Sequence, residues 1–356
     1  MTALKTVAGL DKLFIMHPSF MEVVDRLLFG IDFAKELSEK PNFLITGPTG
    51  VGKTTLRKHL TALFPRQPDG RKAHIGHGLE ATCDDIPALS VMMLKQPTAN
   101  SLARSLLREL GDPAWKKGDG SELTYRVKHY LRMCGVQIVF IDEAQRSVDR
   151  DGVLRRYDIA DFLKDIHELG GVSICLFGMG RTKHLFAHDE QTRRRWNNEI
   201  ALAPYLWSDP TGNGAAAQDA LAFMGVLKSY ADTLPIPLAG EIDVSLPMTA
   251  QRFYFVTSGV IGFLKKLLIK ATEIAMYRKL PEIGFTTLSR ALAEAFISDE
   301  FNAANSGDPF VPHWEARLPP PLPDHTMLLE RPKKGRGKGT QRDRKHKVVG
   351  ALTLAA

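Results

Sequence analysis

Unbroken apolar runs alternate with apolar stripes at helical spacing along most of this chain. Between 19 and 40, Phe20, Val23, Val24, Leu27, Leu28, Ile31 and Ala34 recur at helical intervals behind Ser19, a residue suited to an N-cap. This predicts an amphipathic helix laid on the main body. Apolar runs at 42–46, 89–94, 136–141 and 172–177, with a shorter one at 199–202, have the character of parallel strands buried on both faces. Helical patterns separate them, after residue 54, at 97–110, 123–133 and 158–169, and in the stretch carrying Arg193-Arg194-Arg195-Trp196. Strands alternating with helices imply an α/β fold, a parallel sheet covered by helices on both faces. Residues 65–80, rich in Pro, Gly and charge, read as a loop. Beyond a turn-rich junction at 204–213, the segments 217–234, 260–277 and 286–298 are helical with no strand set, which predicts a smaller helical lid. The expected division is an N-terminal helical extension at 1–40, an α/β domain at 41–205, the lid at 206–300 and a flexible tail at 301–356. Pro319-Pro320-Pro321 and a basic run give that tail the composition of a flexible or partner-binding segment.

With 356 residues, 44% of them hydrophobic, the chain can bury one large core and a smaller one. No apolar run approaches the roughly 20 residues that span a bilayer, and the N-terminus lacks a signal-peptide pattern, so a soluble cytoplasmic protein is expected. Cys83, Cys134 and Cys175 have neither C-x-x-C spacing nor clustered histidines, which argues against a disulfide framework or a zinc site. The formal charge of +7 is concentrated at one end: residues 331–356 hold nine Lys or Arg and one Asp, leaving the preceding 330 residues at −1. Overall basicity therefore carries no information about nucleic-acid binding by the folded body.

Chemistry enters at Gly47-Pro48-Thr49-Gly50-Val51-Gly52-Lys53-Thr54, followed by Thr55. A strand pattern precedes it and a helix pattern follows, the setting of a phosphate-binding P-loop. Glycines let the backbone wrap an anion, successive N–H groups and the helix N-terminus face the phosphates, Lys53 reaches the β/γ-phosphates of ATP, and Thr54 would hold Mg²⁺. The apolar run 136–141 ends directly in Asp142-Glu143, 89 residues after Lys53. Asp142 at a strand's carboxyl end suits the Mg²⁺ shell, and Glu143 suits a base that polarises water for attack on the γ-phosphate.

A P-loop and Asp-Glu sheet followed by a helical lid resembles the AAA+ ATPases. The text between the motifs narrows this: His17-Pro18-Ser19-Phe20, Pro97-Thr98-Ala99-Asn100-Ser101-Leu102, Ile141-Asp142-Glu143-Ala144-Gln145, Arg195-Trp196 ahead of Ile200, and Ser258-Gly259-Val260-Ile261-Gly262 resemble the TniB/TnsC family of transposon-encoded AAA+ regulators over residues 14–298. The resemblance implies an ATP-dependent homo-oligomer, ring or helical filament, that binds double-stranded target DNA, answers to a target-selector protein and recruits a cognate transposase. It also implies an arginine reaching a neighbouring subunit's γ-phosphate, matched best by Arg195 and next by Arg194. Two positions depart from the pattern. Met179 stands where relatives carry a polar γ-phosphate sensor after Gly178, and Gly262, followed by Lys265 and Lys266, stands near the lid's sensor arginine. Slow or partner-stimulated hydrolysis is therefore expected. No base-reading module is present, so DNA contact is expected through phosphates, with Lys116, Lys117, Arg150, Arg155 and Arg156 as candidates. Two other readings stay open: a different AAA+ or signalling NTPase switch, helicase-loader-like or DNA-independent, and a structural adaptor that uses nucleotide only as a folding ligand.

Overall fold

The expected apolar runs pair into one five-stranded parallel sheet in a computed structural model that describes residues 6–33, 40–76, 79–149, 153–187, 190–196, 198–296 and 307–328. The chain opens with α1 (Val7–Lys12) and α2 (Pro18–Phe33), then β1 (Phe43–Thr46), α3 (Lys53–Ala62), β2 (Gln67–Gly76), β3 (Leu79–Asp85) and β4 (Ala88–Met92). Next come α4 (Ala99–Glu109), α5 (Gly120–Met133), β5 (Ile138–Asp142), α6 (Val153–Gly170), β6 (Ser173–Gly178), α7 (Glu190–Arg195) and β7 (Asn198–Ala201). Four helices, α8 (Ala215–Thr233), α9 (Pro247–Thr257), α10 (Ile261–Tyr277) and α11 (Phe285–Ala295), complete the described elements.

The sheet order is β4-β5-β6-β1-β7, and every pairing is parallel. Period-two alternation sends successive side chains of the central strands to opposite faces, and both faces are buried. Val139, Ile141, Ile174 and Leu176 meet α4, α5 and α6 on one face, while Ile138, Phe140, Cys175 and Phe177 meet α2 and α3 on the other. Burying an aliphatic or aromatic side chain is worth about 1.5–3 kcal/mol, so these strands anchor the domain. Thr98 caps α4 through a reciprocal bond with Ser101, which fixes where that helix begins. Helices α8 to α11 surround a second core that includes Phe223, Leu227, Phe253 and Leu264, and Leu10 of α1 is buried in it. All five strands point their carboxyl ends toward one edge, where ligands bind in open α/β sheets.

Four expectations need correction. Residues 65–80 are not a loop: β2 and β3 form an antiparallel hairpin with Arg71 opposite Cys83 and Lys72 opposite Thr82. A backbone ladder and the Arg66–Asp84 ion pair at 2.6 Å hold it, so no apolar alternation marked it. Helix α9 went unseen because Phe253, Tyr254, Phe255 and Val256 are all buried in succession, which erases the one-sided stripe. The tail is not uniformly free, since Phe310 is buried in the second core and residues 307–328 lie along the body. Finally, α2 starts at Pro18, so Ser19 falls inside the helix and is not its cap. Ala34 and Arg150 lie outside the described residues. Among the described residues no helix is long and apolar enough to cross a membrane.

Packing of the N-terminal segment buries His17 against Phe20, with ring centroids 3.9 Å apart, and near Tyr205 at 5.5 Å. Neither ring nitrogen has a hydrogen-bond partner, and burial lowers its pKa to about 4. Between pH 6.5 and 4 the unfolded chain takes up a proton that the folded chain refuses, so this residue lowers stability as pH falls through that window. Wild type should lose about 2–3 kcal/mol more than His17→Phe between pH 7 and pH 4. Urea unfolding of both chains across that range checks it, and equal losses would exclude His17 as a source.

Candidate active site

The loop joining β1 to α3 is shaped by close backbone approach. Gly50 and Gly52 have φ of +89° and +98°, a region that a Cβ disfavours. A Cβ on Gly47 would lie 2.3 Å from the Leu202 carbonyl oxygen, and the Gly47 N–H donates to the Gly178 carbonyl at 3.2 Å. The loop is thereby wedged between the ends of β6 and β7. Lys53 donates to the carbonyls of Gly47 and Pro48, both at 2.7 Å. Burial pulls its pKa down to about 8 against the opposing pull of Asp142 and Glu143, with Arg181 adding to the depression. An arriving phosphate would favour the charged ammonium.

At the end of β5 the two acids occupy different surroundings. Asp142 is 1% exposed; its Oδ2 accepts from the Thr54 hydroxyl at 2.9 Å and from Arg57 Nε at 3.1 Å, and its Oδ1 accepts from the Glu143 N–H. Glu143 sits at φ +59°, which turns its carboxylate into the cavity. Its Oε2 accepts from Gln145 Nε2 at 3.2 Å and pairs with Arg146 at 2.9 Å, while Arg146 also donates to the Met93 carbonyl.

Lys53, Thr54 and Glu143 line a cavity of about 280 Å³, and Asp142, outside the lining, is bonded to Thr54. Thr49, Gly50, Val51, Gly52, Lys53, Thr54 and Thr55 form its polar end together with Glu143, while Phe14, His17, Phe20, Tyr230 and Ile261 give the other end an apolar, ring-lined wall. That division fits a nucleotide: backbone N–H groups for phosphates and a flat apolar slot for a base. The unpartnered nitrogens of His17 and the unpartnered Gln145 Oε1 offer polar contacts within the same cavity. Thr54 and Asp142, already bonded to each other, fit the shell of a phosphate-bound Mg²⁺. Helix α10 roofs the cavity, since the Gly262 N–H donates to the Gly50 carbonyl at 2.8 Å and a Cβ there would meet that oxygen at 2.5 Å. Of the lid lysines, Lys265 lines the cavity and pairs with Asp11, whereas Lys266 lies over the Phe296 ring.

Sequence reasoning missed the apolar wall, Arg57 and Arg146. His17 and Phe20 stood in the family-like text without a role. Arg57 follows Lys53 by one helical turn, a spacing that in hindsight places it beside Asp142. Met179 lines the cavity, and Arg181 is buried beside it with a two-bond ion pair to Asp149, one bond being 2.9 Å.

Other expected site residues lie elsewhere. Arg195 ion-pairs with Glu168 and Arg194 with Glu190 at 3.0 Å, and neither lines the cavity. Lys116 is exposed over the Trp115 ring, Lys117 is exposed, and Arg156 is half-buried on α6. Arg155 belongs to α6, but its side chain lies outside the described residues, as does all of Arg150. Among the described residues no group of three or more His, Cys, Asp or Glu could hold a metal, and the three cysteines are free.

Solved structures share this architecture. The Aeropyrum pernix ORC1 protein in complex with DNA matches with a TM-score of 0.54 at 17% identity, over 80% of this chain and 66% of that one. The Aeropyrum pernix ORC2 protein matches with a TM-score of 0.53 at 13% identity, over 81% and 69%. Drosophila ORC bound to DNA matches with a TM-score of 0.51 at 11% identity, over 84% and 68%. The chain thus spans just under two thirds of the first of these proteins. At such identities the likeness establishes the fold, a P-loop α/β fold of the AAA+ kind. No curated protein matches the chain in sequence. The family described as bacterial TniB protein matches residues 10–205, more than half of the chain and the whole stretch from Phe14 through the P-loop and Asp142-Glu143 to the last strand. This chain belongs to the bacterial TniB protein family.

Proposed function

We propose that this protein is an ATP-switched regulator of DNA transposition, which assembles on double-stranded target DNA, recruits its transposase and is reset by hydrolysis. The observation that carries the ATPase part is the convergence of Lys53, Thr54 and Glu143 on one cavity that the lid borders, with Asp142 bonded to Thr54. Lys53 would offset charge on the β- and γ-phosphates and Glu143 would take a proton from the attacking water. Mg²⁺ held at Thr54 and Asp142 would neutralise charge on the phosphate oxygens. Family membership supports the transposition role and the target-selector partner, and the DNA-bound ORC structures are consistent with DNA as ligand.

Arg195, with Arg194 as second choice, is assigned to a neighbouring subunit's γ-phosphate. Both lie outside their own chain's cavity, as an arginine acting between subunits must, and Arg195 would exchange Glu168 for phosphate on assembly. Lys116, Lys117, Arg150, Arg155 and Arg156 remain the proposed contacts to DNA phosphates. A homo-oligomer built head to tail closes into a ring or runs on as a helical filament according to its rotation per subunit. A DNA-independent AAA+ switch is the alternative.

Two features support slow turnover: Met179 in place of a polar sensor, and the Glu143–Arg146 ion pair, which must open before Glu143 can face water. A pair this exposed is worth at most about 1 kcal/mol, so Arg146→Ala should raise basal turnover by no more than about fivefold. A sharp loss of turnover instead would place Arg146 in transition-state stabilisation. Lys53→Ala should abolish ATP binding, whereas Glu143→Gln should bind ATP normally and hydrolyse it about 10²–10⁴-fold more slowly. Equilibrium binding and phosphate release on both variants check this; a Glu143→Gln chain that turns over normally would remove Glu143 as base. Electron microscopy with duplex DNA should show rings or filaments with ATP and none with ADP. Bare DNA in both states would favour the DNA-independent switch.

A further inference from the structure

Residues 307–328 run from the lid to the far wall of the nucleotide cavity, with an anchor at each end. At the lid, Phe310 is 2% exposed, its ring 5.3 Å from that of Phe253. Arg252 of α9 donates to the carbonyls of Pro309 and Val311, the latter at 2.9 Å, and lies over the Trp314 ring. Midway, Leu322 touches both the lid core and the core beneath α2 and α3. At the other end the Arg181 N–H donates to the His325 carbonyl at 3.1 Å, and the His184 ring is 3.3 Å from the Thr326 carbonyl. Gly180 makes room for this seat, because a Cβ there would come within 2.8 Å of Thr326 Cγ2 and 3.2 Å of the His325 ring. Asp324 rigidifies the seated end by accepting from the Thr326 N–H and hydroxyl.

The two anchors sit on the two parts that close the cavity. Ile261, Gly262 and Lys265 of the lid line one side, and Met179, next to the seat, lines another. Separation of these parts would widen the cavity, and a segment fastened to both opposes it.

Resting on the reading of this cavity as an ATP site, we propose that residues 307–328 are a clasp that retains nucleotide by tying the lid to the loop after β6. Coupling of this kind is reciprocal: the factor by which the docked clasp tightens nucleotide binding is the factor by which nucleotide favours docking. The clasp lies beyond the 10–205 segment that defines family membership, so it is a property of this chain's own C-terminal part.

The test uses the full chain and a fluorescent ATP analogue with Mg²⁺, following release after a chase with unlabelled ATP. Phe310→Ala undoes the lid anchor and Gly180→Leu blocks the opposite seat without disturbing the lid core. Each should speed release by about fivefold or more, the lower range of typical couplings. A Gly180→Cys, Thr326→Cys pair should release slowly when oxidised and, because the added Cβ still crowds the His325 ring, faster than wild type once reduced. Hydrogen exchange of 307–328 should slow when the analogue binds. Release rates within twofold of wild type in every variant, with exchange unchanged by nucleotide, would overturn the clasp while leaving the ATP site standing. A wild-type chain that binds no analogue would overturn the ATP reading and the clasp with it.

Discussion

Two backbone hydrogen bonds hold the phosphate loop from opposite sides, and the rest of the site is arranged around them. Gly47 N–H reaches the Gly178 carbonyl at the end of β6, and the Gly50 carbonyl accepts from Gly262 N–H at the start of α10. The first bond ties the loop to the sheet and the second ties it to the lid. Both depend on the absence of a side chain, since a Cβ on Gly47 or Gly262 would fall 2.3 or 2.5 Å from a carbonyl oxygen. A loop so held presents its N–H groups to an anion without reorganising, which is how backbone dipoles become effective electrostatic partners.

The neighbouring acids show how one strand end places two carboxylates in different surroundings. Asp142 is held by the Thr54 hydroxyl, Arg57 and the Glu143 N–H, so its oxygens are fixed and committed. One residue on, the left-handed turn at Glu143 swings that carboxylate out of line with the strand and toward the cavity. Its partners, Gln145 and Arg146, are on the following turn and not in the sheet, so they can exchange without disturbing the β5 ladder. A rigid carboxylate suited to a metal shell and an adjustable one suited to proton transfer thus arise from a single change in backbone conformation.

Much of this was legible in sequence where burial leaves a periodic trace. The five strands, the order of helices around them and the P-loop followed from apolar runs and from glycines at defined offsets, because buried parallel strands and anion loops each constrain residue type at every position. What stayed hidden was held by other means. The β2–β3 hairpin relies on backbone pairing and an Arg66–Asp84 ion pair, α9 buries four successive residues and so lacks a one-sided stripe, and the segment 307–328 docks through isolated residues such as Phe310 and Leu322. The apolar wall of the cavity is assembled from α2, its approach segment, α8 and α10. No local pattern could join residues so far apart in the chain.

The placement of charge between body and lid bears on how a nucleotide would be read. Lys53, Arg181 and Lys183 lie within electrostatic reach of His325, whose pKa is lowered chiefly by burial, with these cations adding to the effect and Asp324 opposing it. The segment from the C-terminal part therefore borders a group of cations, of which Lys183 is paired with Glu199 at 3.8 Å. Arg181 is already neutralised by Asp149, and Arg195 by Glu168, so neither cation adds net charge to the cavity of an isolated chain. Of the cations that line the cavity, Lys53 is then the one set in the loop itself, whereas Lys265 reaches it from the lid paired with Asp11. On the proposed reading, further positive charge during hydrolysis would come from an exchange of ion pairs, and Arg195 of α7, paired with Glu168 of α6 away from its own cavity, is the arginine assigned to that exchange with a second subunit.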